Sequence, residues 1–551
     1  MKLRGAAIVI ETLIAHGVTD VFGYPGGAVL ELYNELYSRS DRLRHILSCH
    51  EQGASHAADG YARATGRPGV VIATSGPGAT NLVTGIATAY LDSSPLIAIT
   101  GNVSSNLIGK DSFQEVDIAG ITMPVTKHNY IVKRAEDIED TLCEAFQIAC
   151  SGRPGPVLVD ITKDAQIAEV EFYGGSPKAL FAVPETDLDA FEKASKLIDE
   201  SEKPYIYCGG GVISSGAGKL LADFAERIDA PVGFSMMGLS AMDCDNPRKL
   251  GMTGMHGTYP AIKMNEEADL IIAVGVRFSD RATGDKDEYR KNTKIVHIDI
   301  DDAEINKNIS CDVDIVGNIS ESLSALCKVV KKSSHAEWNA LAENYKREAE
   351  AKFTGGFNPR SIIRAVQKFT GKNTIVATDV GQHQMWVAQY YRFSNPRTFL
   401  TSGGLGTMGF GMGAAIGASS ANGAARTVLF TGDGSFHMNL NEFATAVRYK
   451  LPIVVIVMNN NVLGMVRQWQ TLFYEKRYSQ TVLDRVTDYV KLAEAFGGTG
   501  YKAANLEELQ NALDGAFKSG GPVIIDCAID RDEMVLPMIP AGGSYADAIY
   551  N

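Results

Sequence analysis

The segment Thr427-Val-Leu-Phe-Thr-Gly-Asp-Gly434 predicts a buried strand that ends in a carboxylate flanked by glycines. A second apolar run, Ile453–Met458, is followed by Asn459-Asn460, and 24 residues separate Gly434 from Asn459. Continuous β-branched runs of this kind are typical of parallel strands covered on both faces. Because parallel strands end at one edge of an open α/β sheet, where ligands bind, we expect Asp433 and Asn460 to lie close together.

These residue types predict a site for a divalent cation and a diphosphate. Asp433, Asn460 and the backbone carbonyl of Val462 offer hard oxygen ligands, which Mg²⁺ prefers and shares with phosphate oxygens. Gly432 and Gly434 allow a diphosphate to approach the backbone and the next helix N-terminus. The alternative is two unrelated turns, since Asp-Gly and Asn-Asn form turns readily.

Short apolar runs alternate with helical patterns along the whole chain, which predicts an α/β fold of three doubly wound parallel-sheet domains. The predicted strands are Val18–Pro25, Val70–Thr74, Leu96–Thr100, Val157–Ile161, Tyr205–Cys208, Leu270–Val274, Lys294–Ile298, Thr374–Thr378, Thr427–Thr431, Ile453–Met458 and Val523–Cys527. An irregular stretch at 165–186 and a charged helical stretch at 332–358 are predicted linkers. The domains are therefore expected at 1–165, 186–332 and 358–535, with a C-terminal tail at 536–551.

Composition excludes several classes of protein. The chain has 551 residues, 45% of them hydrophobic, and a net charge of −13. A nucleic-acid binder or anionic-membrane binder would show a basic cluster, and we find none. The apolar runs are too short to span a bilayer, and Glu11 interrupts the only stretch that resembles a signal peptide. We therefore expect a cytoplasmic protein that binds neither nucleic acid nor membrane.

The Asp433 and Asn460 elements resemble the thiamin-diphosphate (ThDP) binding motif. Further motifs along the chain are Tyr24-Pro-Gly-Gly-Ala28, Ser75-Gly-Pro-Gly-Ala-Thr-Asn81, Phe113-Gln-Glu115, Arg153-Pro-Gly-Pro156, Gly381-Gln-His-Gln-Met-Trp386, Gly464-Met-Val-Arg-Gln-Trp469 and Leu536-Pro-Met-Ile-Pro540. With these motifs, the chain as a whole resembles the catalytic subunits of acetohydroxyacid synthase (acetolactate synthase). The resemblance implies a pyrimidine-binding domain, a central FAD-type domain and a diphosphate-binding domain, with the C-terminal tail near the active site.

The resemblance assigns roles to residues in the first and third domains. It implies that Glu51 hydrogen-bonds the aminopyrimidine ring of ThDP, whereas the bland alternative is an exposed glutamate at a helix start. Gln114 and the Gly27 amide are implied to polarise substrate oxygens, and Lys163 is implied to lie at the active-site entrance. The further residues implied to bind ThDP are Gly381, Gln382, His383, Gly406, Met408, Gly432, Gly434, Ser435 and Met465.

The resemblance also implies an FAD site in the central domain. The residues implied to hold FAD are Arg153, Gly209, Gly210, Gly211, Gly254, Met255, His256, Gly275, Arg277, Asp299 and Ile300. Ser279 and Asn318 depart from the family's usual pattern in this domain. The reaction that the resemblance implies does not require FAD to be oxidised or reduced.

The implied activity is decarboxylation of pyruvate on ThDP and transfer of the two-carbon unit to pyruvate or 2-ketobutyrate. The products would be 2-acetolactate and 2-aceto-2-hydroxybutyrate, the first common step of valine, leucine and isoleucine biosynthesis. Phe113, Arg281 and Trp469 are the implied substrate residues. A homodimer or homotetramer is implied because the family's site forms between two subunits, and a small regulatory subunit is left open.

Three alternatives remain at this stage. A catabolic acetolactate synthase or a pyruvate oxidase-like enzyme would share the ThDP motif, and bound FAD with oxygen consumption would separate them. A nucleotide-binding module without catalysis is disfavoured because Glu51, Asp433 and Asn460 are all present. Glyoxylate carboligase, another relative, is disfavoured because it lacks the glutamate found here at 51.

Overall fold

The protein is described by a computed structural model that covers residues 1–183, 187–353, 355–421, 423 and 426–550. The predicted start of the second domain at residue 186 and the predicted end of the tail at residue 551 lie outside these residues. The described chain contains three six-stranded parallel sheets flanked by helices, which confirms the predicted fold class. Within the same residues, no helix has the length and apolar character needed to cross a membrane.

The first sheet is built from the N-terminal part of the chain. Its six strands are β2 Asp20–Gly23, β3 Arg44–Leu47, β4 Gly69–Ala73, β5 Leu96–Asn102, β6 His128–Val132 and β7 Pro156–Thr162. Two further strands, β1 Lys2–Arg4 and β8 Glu169–Glu171, form a separate small antiparallel pair. The helices are α1 Gly5–Ala15, α2 Leu30–Ser38, α3 Glu51–Thr65, α4 Pro77–Asn81, α5 Val83–Leu91, α6 Ile118–Thr122, α7 Ile138–Cys150 and α8 Lys163–Ile167. The strand order is β3-β2-β4-β5-β7-β6.

The second sheet has the order β11-β10-β9-β12-β13-β14. Its strands are β9 Pro204–Cys208, β10 Val232–Phe234, β11 Lys249–Met252, β12 Leu270–Val274, β13 Lys294–Asp299 and β14 Val313–Val316. The helices are α9 Leu188–Glu200, α10 Gly210–Ser214, α11 Gly218–Arg227, α12 Tyr259–Glu267, α13 Asp280–Thr283, α14 Lys286–Arg290 and α15 Ile319–Val329. Helix α16, Ala336–Ala351, then leads toward the third sheet.

The third sheet has the order β16-β15-β17-β18-β20-β19. Its strands are β15 Ile375–Thr378, β16 Phe399–Leu400, β17 Thr427–Gly432, β18 Ile453–Asn459, β19 Thr499–Ala503 and β20 Val523–Ala528. The helices are α17 Pro359–Gln367, α18 Gln382–Tyr390, α19 Phe410–Ala421, α20 Asp433–Asn439, α21 Glu442–Arg448, α22 Gly464–Phe473, α23 Tyr489–Ala495 and α24 Leu506–Lys518.

Each strand expected from the sequence is present, and the strands that were not expected lie mainly at sheet edges. The missed edge strands include β3, β6, β14 and β19, whose side chains are only partly covered. Edge strands have a solvated side, so they lack the continuous apolar run that identifies a central parallel strand. The linker at 165–186 was expected to be irregular throughout, but α8 ends within it and β8 pairs with β1.

The first and third domains meet through helices α3 and α19. A Cβ atom added at Gly417 would lie 1.8 Å from the carbonyl oxygen of Ala57, and one added at Gly60 would lie 2.3 Å from that of Ala414. The two helices therefore pack backbone to backbone, which only glycine permits at these positions. This packing fixes helix α3, which begins at Glu51, against helix α19, which follows Met408.

The C-terminal tail folds back over the second and third domains. The Ile539 amide donates to the carbonyl of Met255 at 2.8 Å, and Nε2 of Gln389 in helix α18 donates to the carbonyl of Leu536 at 3.3 Å. Its only helix among the described residues is a short 3₁₀ helix, Tyr545–Asp547, because prolines and glycines disfavour longer regular elements.

Candidate active site

At the carboxyl edge of the third sheet, Asp433 begins helix α20 directly after strand β17 ends at Gly432. Its side chain is buried, with 3% of the residue exposed. Its carboxylate accepts a hydrogen bond from the backbone N–H of Asn460, so the two predicted oxygen ligands lie together. Burial raises the pKa of Asp433 to about 6, because the backbone hydrogen bonds and the nearby Arg485 offset only part of the lost hydration.

The loop after strand β18 holds Asn460 and Val462 at the same edge. The side-chain oxygen of Asn460 accepts from the Val462 amide at 3.2 Å, and its Nδ2 lies 3.4 Å from Oε1 of Gln382. Both Asn460 and Val462 are buried. The arrangement gathers a carboxylate and a carboxamide in one dry pocket, which suits a hard divalent cation.

His383 lines this pocket from helix α18. Its Nε2 is buried without a hydrogen-bond partner in the described structure, and burial lowers the pKa of His383 to about 3. A Cβ atom added at Gly432 would lie 3.0 Å from Nδ1 of His383, so glycine there lets the ring sit against the strand end. A neutral imidazole with a free buried nitrogen is poised to hydrogen-bond a ligand oxygen.

The segment that carries Met408 is held by two buried polar side chains. Asp379 accepts from the Gly409 amide at 2.7 Å, and Nδ2 of Asn439 donates to the Gly409 carbonyl at 2.9 Å. Burial raises the pKa of Asp379 to about 6. Met408 lies near Gly434, because its Cε is 4.0 Å from the position that a Cβ of Gly434 would take.

The remaining third-domain residues of the predicted site lie around the same edge. Nε2 of Gln382 donates to Oε1 of Gln468 at 2.9 Å, and Ser435 donates to the carbonyl of Val380 at 2.6 Å. Gly381 directly precedes α18, Gly406 lies in the loop before α19, and Met465 is in the first turn of α22.

At the carboxyl edge of the first sheet, Glu51 begins helix α3. Its Oε2 accepts from Nδ2 of Asn81 at 2.9 Å, and its Oε1 would be 3.3 Å from a Cβ at Gly78. Gly27 lies at the same edge, since the next amide, that of Ala28, donates to Thr74 at 3.2 Å. Glu51 therefore has one amide partner and stays partly exposed.

Gln114, Phe113 and Lys163 border this first edge. Gln114 has a φ of +58°, and its carbonyl oxygen would lie 2.8 Å from a Cβ at Gly76. Phe113 is 87% exposed, and Lys163 is an exposed residue at the start of α8.

A residue that the sequence reasoning missed, Glu442, joins the two domains. Its buried carboxylate accepts from the amides of Cys49 at 3.0 Å and His50 at 2.9 Å, and from the Thr445 hydroxyl at 2.7 Å. Burial raises the pKa of Glu442. A third-domain carboxylate thus binds the two amides that precede Glu51, a contact that no local pattern signals.

The central domain brings several of the predicted FAD residues to one sheet edge. Gly209 and Gly275 follow adjacent strands, and a Cβ at Gly209 would lie 1.9 Å from the Gly275 carbonyl oxygen. Gly210 and Gly211 begin helix α10, and Gly254 and Met255 stand beside Arg281, whose carbonyl accepts from the Met255 amide. Nδ1 of His256 is buried without a partner, and burial lowers the pKa of His256 to about 4.

Acidic and basic groups frame the same edge. Asp299 ends strand β13 next to Ile300, and burial raises the pKa of Asp299 to about 6. Burial and the neighbouring Arg153 lower the pKa of Arg277. Arg153 itself joins the first domain to the second through Glu304 at 2.7 Å. The unpartnered His256 nitrogen and the close glycine contacts fit a dinucleotide-type ligand.

Arg281 and Trp469 lie close together, although they belong to different domains and are 188 positions apart in the sequence. The guanidinium carbon of Arg281 lies 5.4 Å from the centre of the Trp469 ring. Arg281 is exposed and Trp469 is partly exposed, and Arg281 also approaches Asp280 at 3.7 Å. The structure therefore pairs two of the three predicted substrate residues and places Phe113 on the first-domain edge.

Comparisons with known proteins agree with this architecture. Three models of thiamine pyrophosphate (ThDP) enzymes match the chain: the N-terminal TPP binding domain at residues 3–121, the central domain at 191–326 and the C-terminal TPP binding domain at 379–527. A probable acetolactate synthase large subunit from Methanocaldococcus jannaschii is 45% identical, over 99% of this chain and 95% of that protein. The acetolactate synthase large subunit of Haemophilus influenzae is 44% identical, over 100% and 98%.

An isozyme 3 large subunit of acetolactate synthase from Escherichia coli is 42% identical, over 98% of this chain and 97% of that protein. The similarity spans all three domains rather than the cofactor motifs alone. The chain therefore belongs to the thiamine pyrophosphate enzymes and, within them, to the family of acetolactate synthase large subunits.

Proposed function

We propose that this chain is the catalytic subunit of a biosynthetic acetolactate synthase. It would decarboxylate pyruvate and transfer the two-carbon unit to a second pyruvate or to 2-ketobutyrate. The observation that carries the proposal is the buried Asp433 carboxylate beside Asn460 and the unpartnered Nε2 of His383, in a chain of this family. That combination suits Mg²⁺ and a diphosphate together.

Third-domain residues would hold the cofactor. Asp433, Asn460 and the Val462 carbonyl would bind Mg²⁺, and the backbone at Gly432, Gly434 and Ser435 would bind the diphosphate. ThDP, when bound, supplies the electron sink that allows pyruvate to lose CO₂. Met408 and Met465 would support the middle of the cofactor, with Gly381, Gln382, His383 and Gly406 completing the pocket.

First-domain residues would govern the proton and the substrate oxygens. Glu51 would hold a proton at the aminopyrimidine ring, and Asn81 would orient the carboxylate through its 2.9 Å hydrogen bond. The Gly27 amide and Gln114 would donate hydrogen bonds to developing negative charge on substrate oxygen. Lys163 and Phe113 would stand at the entrance.

A second copy of the chain would complete the site. Glu51 and Asp433 belong to different domains, and the first-domain edge is open, with Phe113 87% exposed. A homodimer in which Glu51 of one protomer faces Asp433 of its partner would cover this edge, and a homotetramer would repeat the unit. A small regulatory subunit is a further partner that the proposed function allows.

We also propose FAD in the central domain, held by the glycines at 209–211, 254 and 275 together with Arg153, Met255, His256, Arg277, Asp299 and Ile300. The support is the unpartnered Nδ1 of His256 and the close Gly209–Gly275 contact. Arg281 and Trp469 would recognise the acceptor ketoacid. The cytoplasmic location remains a prediction.

The test is purification followed by an acetolactate assay with and without ThDP and Mg²⁺, together with a flavin absorption spectrum. The proposal expects acetolactate only when both ThDP and Mg²⁺ are present. Pyruvate-dependent oxygen consumption without acetolactate would identify an oxidase instead and would contradict the proposal.

A further inference from the structure

A second cavity lies where the central domain, helix α16 and the third domain meet. Its volume is about 600 Å³, within the usual range for small-molecule sites. Leu250 and Tyr259 line it from the central domain, Lys346 from α16, Arg364 from α17 and Leu536 from the tail. None of the residues assigned above to ThDP, Mg²⁺, FAD or substrate lines it.

Positive charge is in excess in this cavity. Six basic side chains line it, against four carboxylates; the basic residues are Lys249, Lys346, Lys352, Arg360, Arg364 and Arg392. The whole chain, in contrast, carries a net charge of −13. A concave site with this local excess attracts anions.

Most of these cations already have partners, but Arg364 does not. Arg392 pairs with Asp245 at 3.0 Å, Lys346 pairs with Glu343 at 2.7 Å, and Arg360 pairs with Glu350. Lys249 donates to three backbone carbonyls. Among the described residues, no carboxylate lies within 4.0 Å of the Arg364 guanidinium, as an ion pair would require.

The surroundings make an unpaired charge at Arg364 unfavourable. The side chain is partly buried, and burial together with Arg360 and Arg392 lowers the pKa of Arg364, whereas Glu350, which lies beyond ion-pair distance, offsets only part of this effect. Desolvation without a partner destabilises a charged group. A bound anion would supply the missing partner, and a guanidinium binds phosphate with good geometry.

Aromatic side chains line the other part of the cavity. The rings of Tyr259 and Tyr550 pack edge to face with centres 5.3 Å apart, and Nζ of Lys352 lies 4.9 Å from the Tyr259 ring centre. Aromatic walls of this kind favour a flat ring. Besides Asp245, Glu343 and Glu350, the cavity is lined by one more carboxylate, Glu533, which lies near the tail. Burial raises the pKa of Glu533.

We propose that this cavity binds a small aromatic phosphate, such as a nucleoside monophosphate, with its phosphate on Arg364 and its ring against the tyrosines. The test uses the holoenzyme saturated with ThDP and Mg²⁺, and uridine 5′-monophosphate as the probe. This probe lacks adenine, so it does not imitate half of a flavin dinucleotide. Inorganic phosphate at the same free Mg²⁺ is the comparison ligand.

Calorimetry should detect the uridine nucleotide binding more tightly than inorganic phosphate. Arg364→Gln should weaken nucleotide binding roughly 10-fold or more, because a charge-assisted hydrogen bond is lost. The matched control is Arg347→Gln, which removes an exposed guanidinium from α16 outside the cavity and should leave binding unchanged.

Thermal unfolding gives a second measurement. Without nucleotide, Arg364→Gln should be at least as stable as the unchanged protein, because an unpaired cation among arginines has been removed. The nucleotide should raise the Tm of the unchanged protein and of Arg347→Gln, but not that of Arg364→Gln. Should Arg364→Gln fail to fold, Lys352→Gln at the tyrosine side should weaken binding several-fold.

Three results would overturn the proposal. They are the absence of nucleotide binding to the holoenzyme, binding no tighter than that of inorganic phosphate, and equal binding to the unchanged protein and the Arg364→Gln and Lys352→Gln variants.

Discussion

The carboxyl edges of the first and third sheets differ in how complete they are. At the third-sheet edge, Asp433, Asn460 and His383 are buried and held by neighbouring side chains and backbone. At the first-sheet edge, Glu51 is partly exposed and Phe113 and Lys163 are open to solvent. Both edges end parallel strands, so the fold places them equivalently, but only one is enclosed by its own chain.

This difference indicates a division of labour. The enclosed edge gathers buried polar groups, with an unpartnered nitrogen on His383 and a carboxylate on Asp433 whose pKa burial raises to about 6. The open edge offers a positioned carboxylate that lacks a covering surface. Glu442 links the two, because it binds the backbone that leads into Glu51 from within the third domain. We therefore expect substitutions at the open edge to affect turnover and those at the enclosed edge to affect binding.

The largest effect is expected at Glu51. Glu51→Gln should lower turnover roughly 10²–10⁴-fold, equivalent to about 3–5 kcal/mol, because positioned proton transfer is lost. ThDP affinity, measured by calorimetry, should remain close to that of the unchanged protein. Glu136→Gln, at an exposed glutamate of the same domain, is the control. Wild-type turnover in Glu51→Gln would show that the Glu51 carboxylate at the open edge takes no part in the reaction.

Asp433→Ala should show the opposite behaviour, with weaker binding of metal and cofactor. Loss of an oxygen ligand should weaken ThDP binding at limiting Mg²⁺ by about 10–100-fold, the range seen even for residues that only support a metal ligand. Asp514→Asn, exposed on α24, is the matched control. ThDP affinity unchanged at low Mg²⁺ would contradict the metal role of the enclosed edge.

Trp469 sharpens the comparison, because it belongs to the third domain but contacts Arg281 of the central domain. We expect a preference for 2-ketobutyrate over pyruvate that depends on Trp469, since one methylene is worth roughly 1–3 kcal/mol, or 10–200-fold. Trp469→Leu should lower the ratio of acetohydroxybutyrate to acetolactate in a competition assay, while acetolactate formation from pyruvate alone persists.

Arg281→Gln is the companion variant, and it should weaken capture of either ketoacid rather than the choice between them. If Trp469→Leu leaves the product ratio unchanged, Trp469 serves only in core packing and does not select the acceptor ketoacid.

The smallest effect is expected at the link between the edges. Glu442→Gln should lower the free energy of unfolding by about 1–3 kcal/mol, because the neutral amide satisfies two backbone N–H donors less well than a carboxylate. Denaturant titration measures this loss. Glu507→Gln, in the exposed first turn of α24, is the control. A stability identical to that of the unchanged protein would mean that the α3–α19 contact alone fixes the two domains.

The sequence predicted the centre of each sheet and the enclosed edge, because both depend on local patterns. Apolar runs such as Leu270–Val274 coincide with a strand, and Asp433 follows its strand directly. The strands β3 and β19 escaped prediction because most of their residues are partly exposed and they contain no continuous apolar run. Asp379, Asn439 and Glu442 escaped it because their partners are distant in sequence.

The roles of individual site residues depend on the family resemblance, and the structure adds where they lie. Asn81 shows this difference: it belongs to a motif visible in the sequence, but its hydrogen bond to Glu51 appears only when the fold brings the end of helix α4 beside the start of helix α3.

The most direct test of the central claim is subunit complementation between the two edges. Glu51→Gln and Asp433→Ala chains with different tags would be co-expressed, and the hybrid isolated through both tags would be assayed for acetolactate with ThDP and saturating Mg²⁺. If the site forms between protomers, each hybrid dimer keeps one site with both residues intact, and its activity should approach about half that of the unchanged dimer. A hybrid as inactive as the two parent variants would contradict a site shared between two chains.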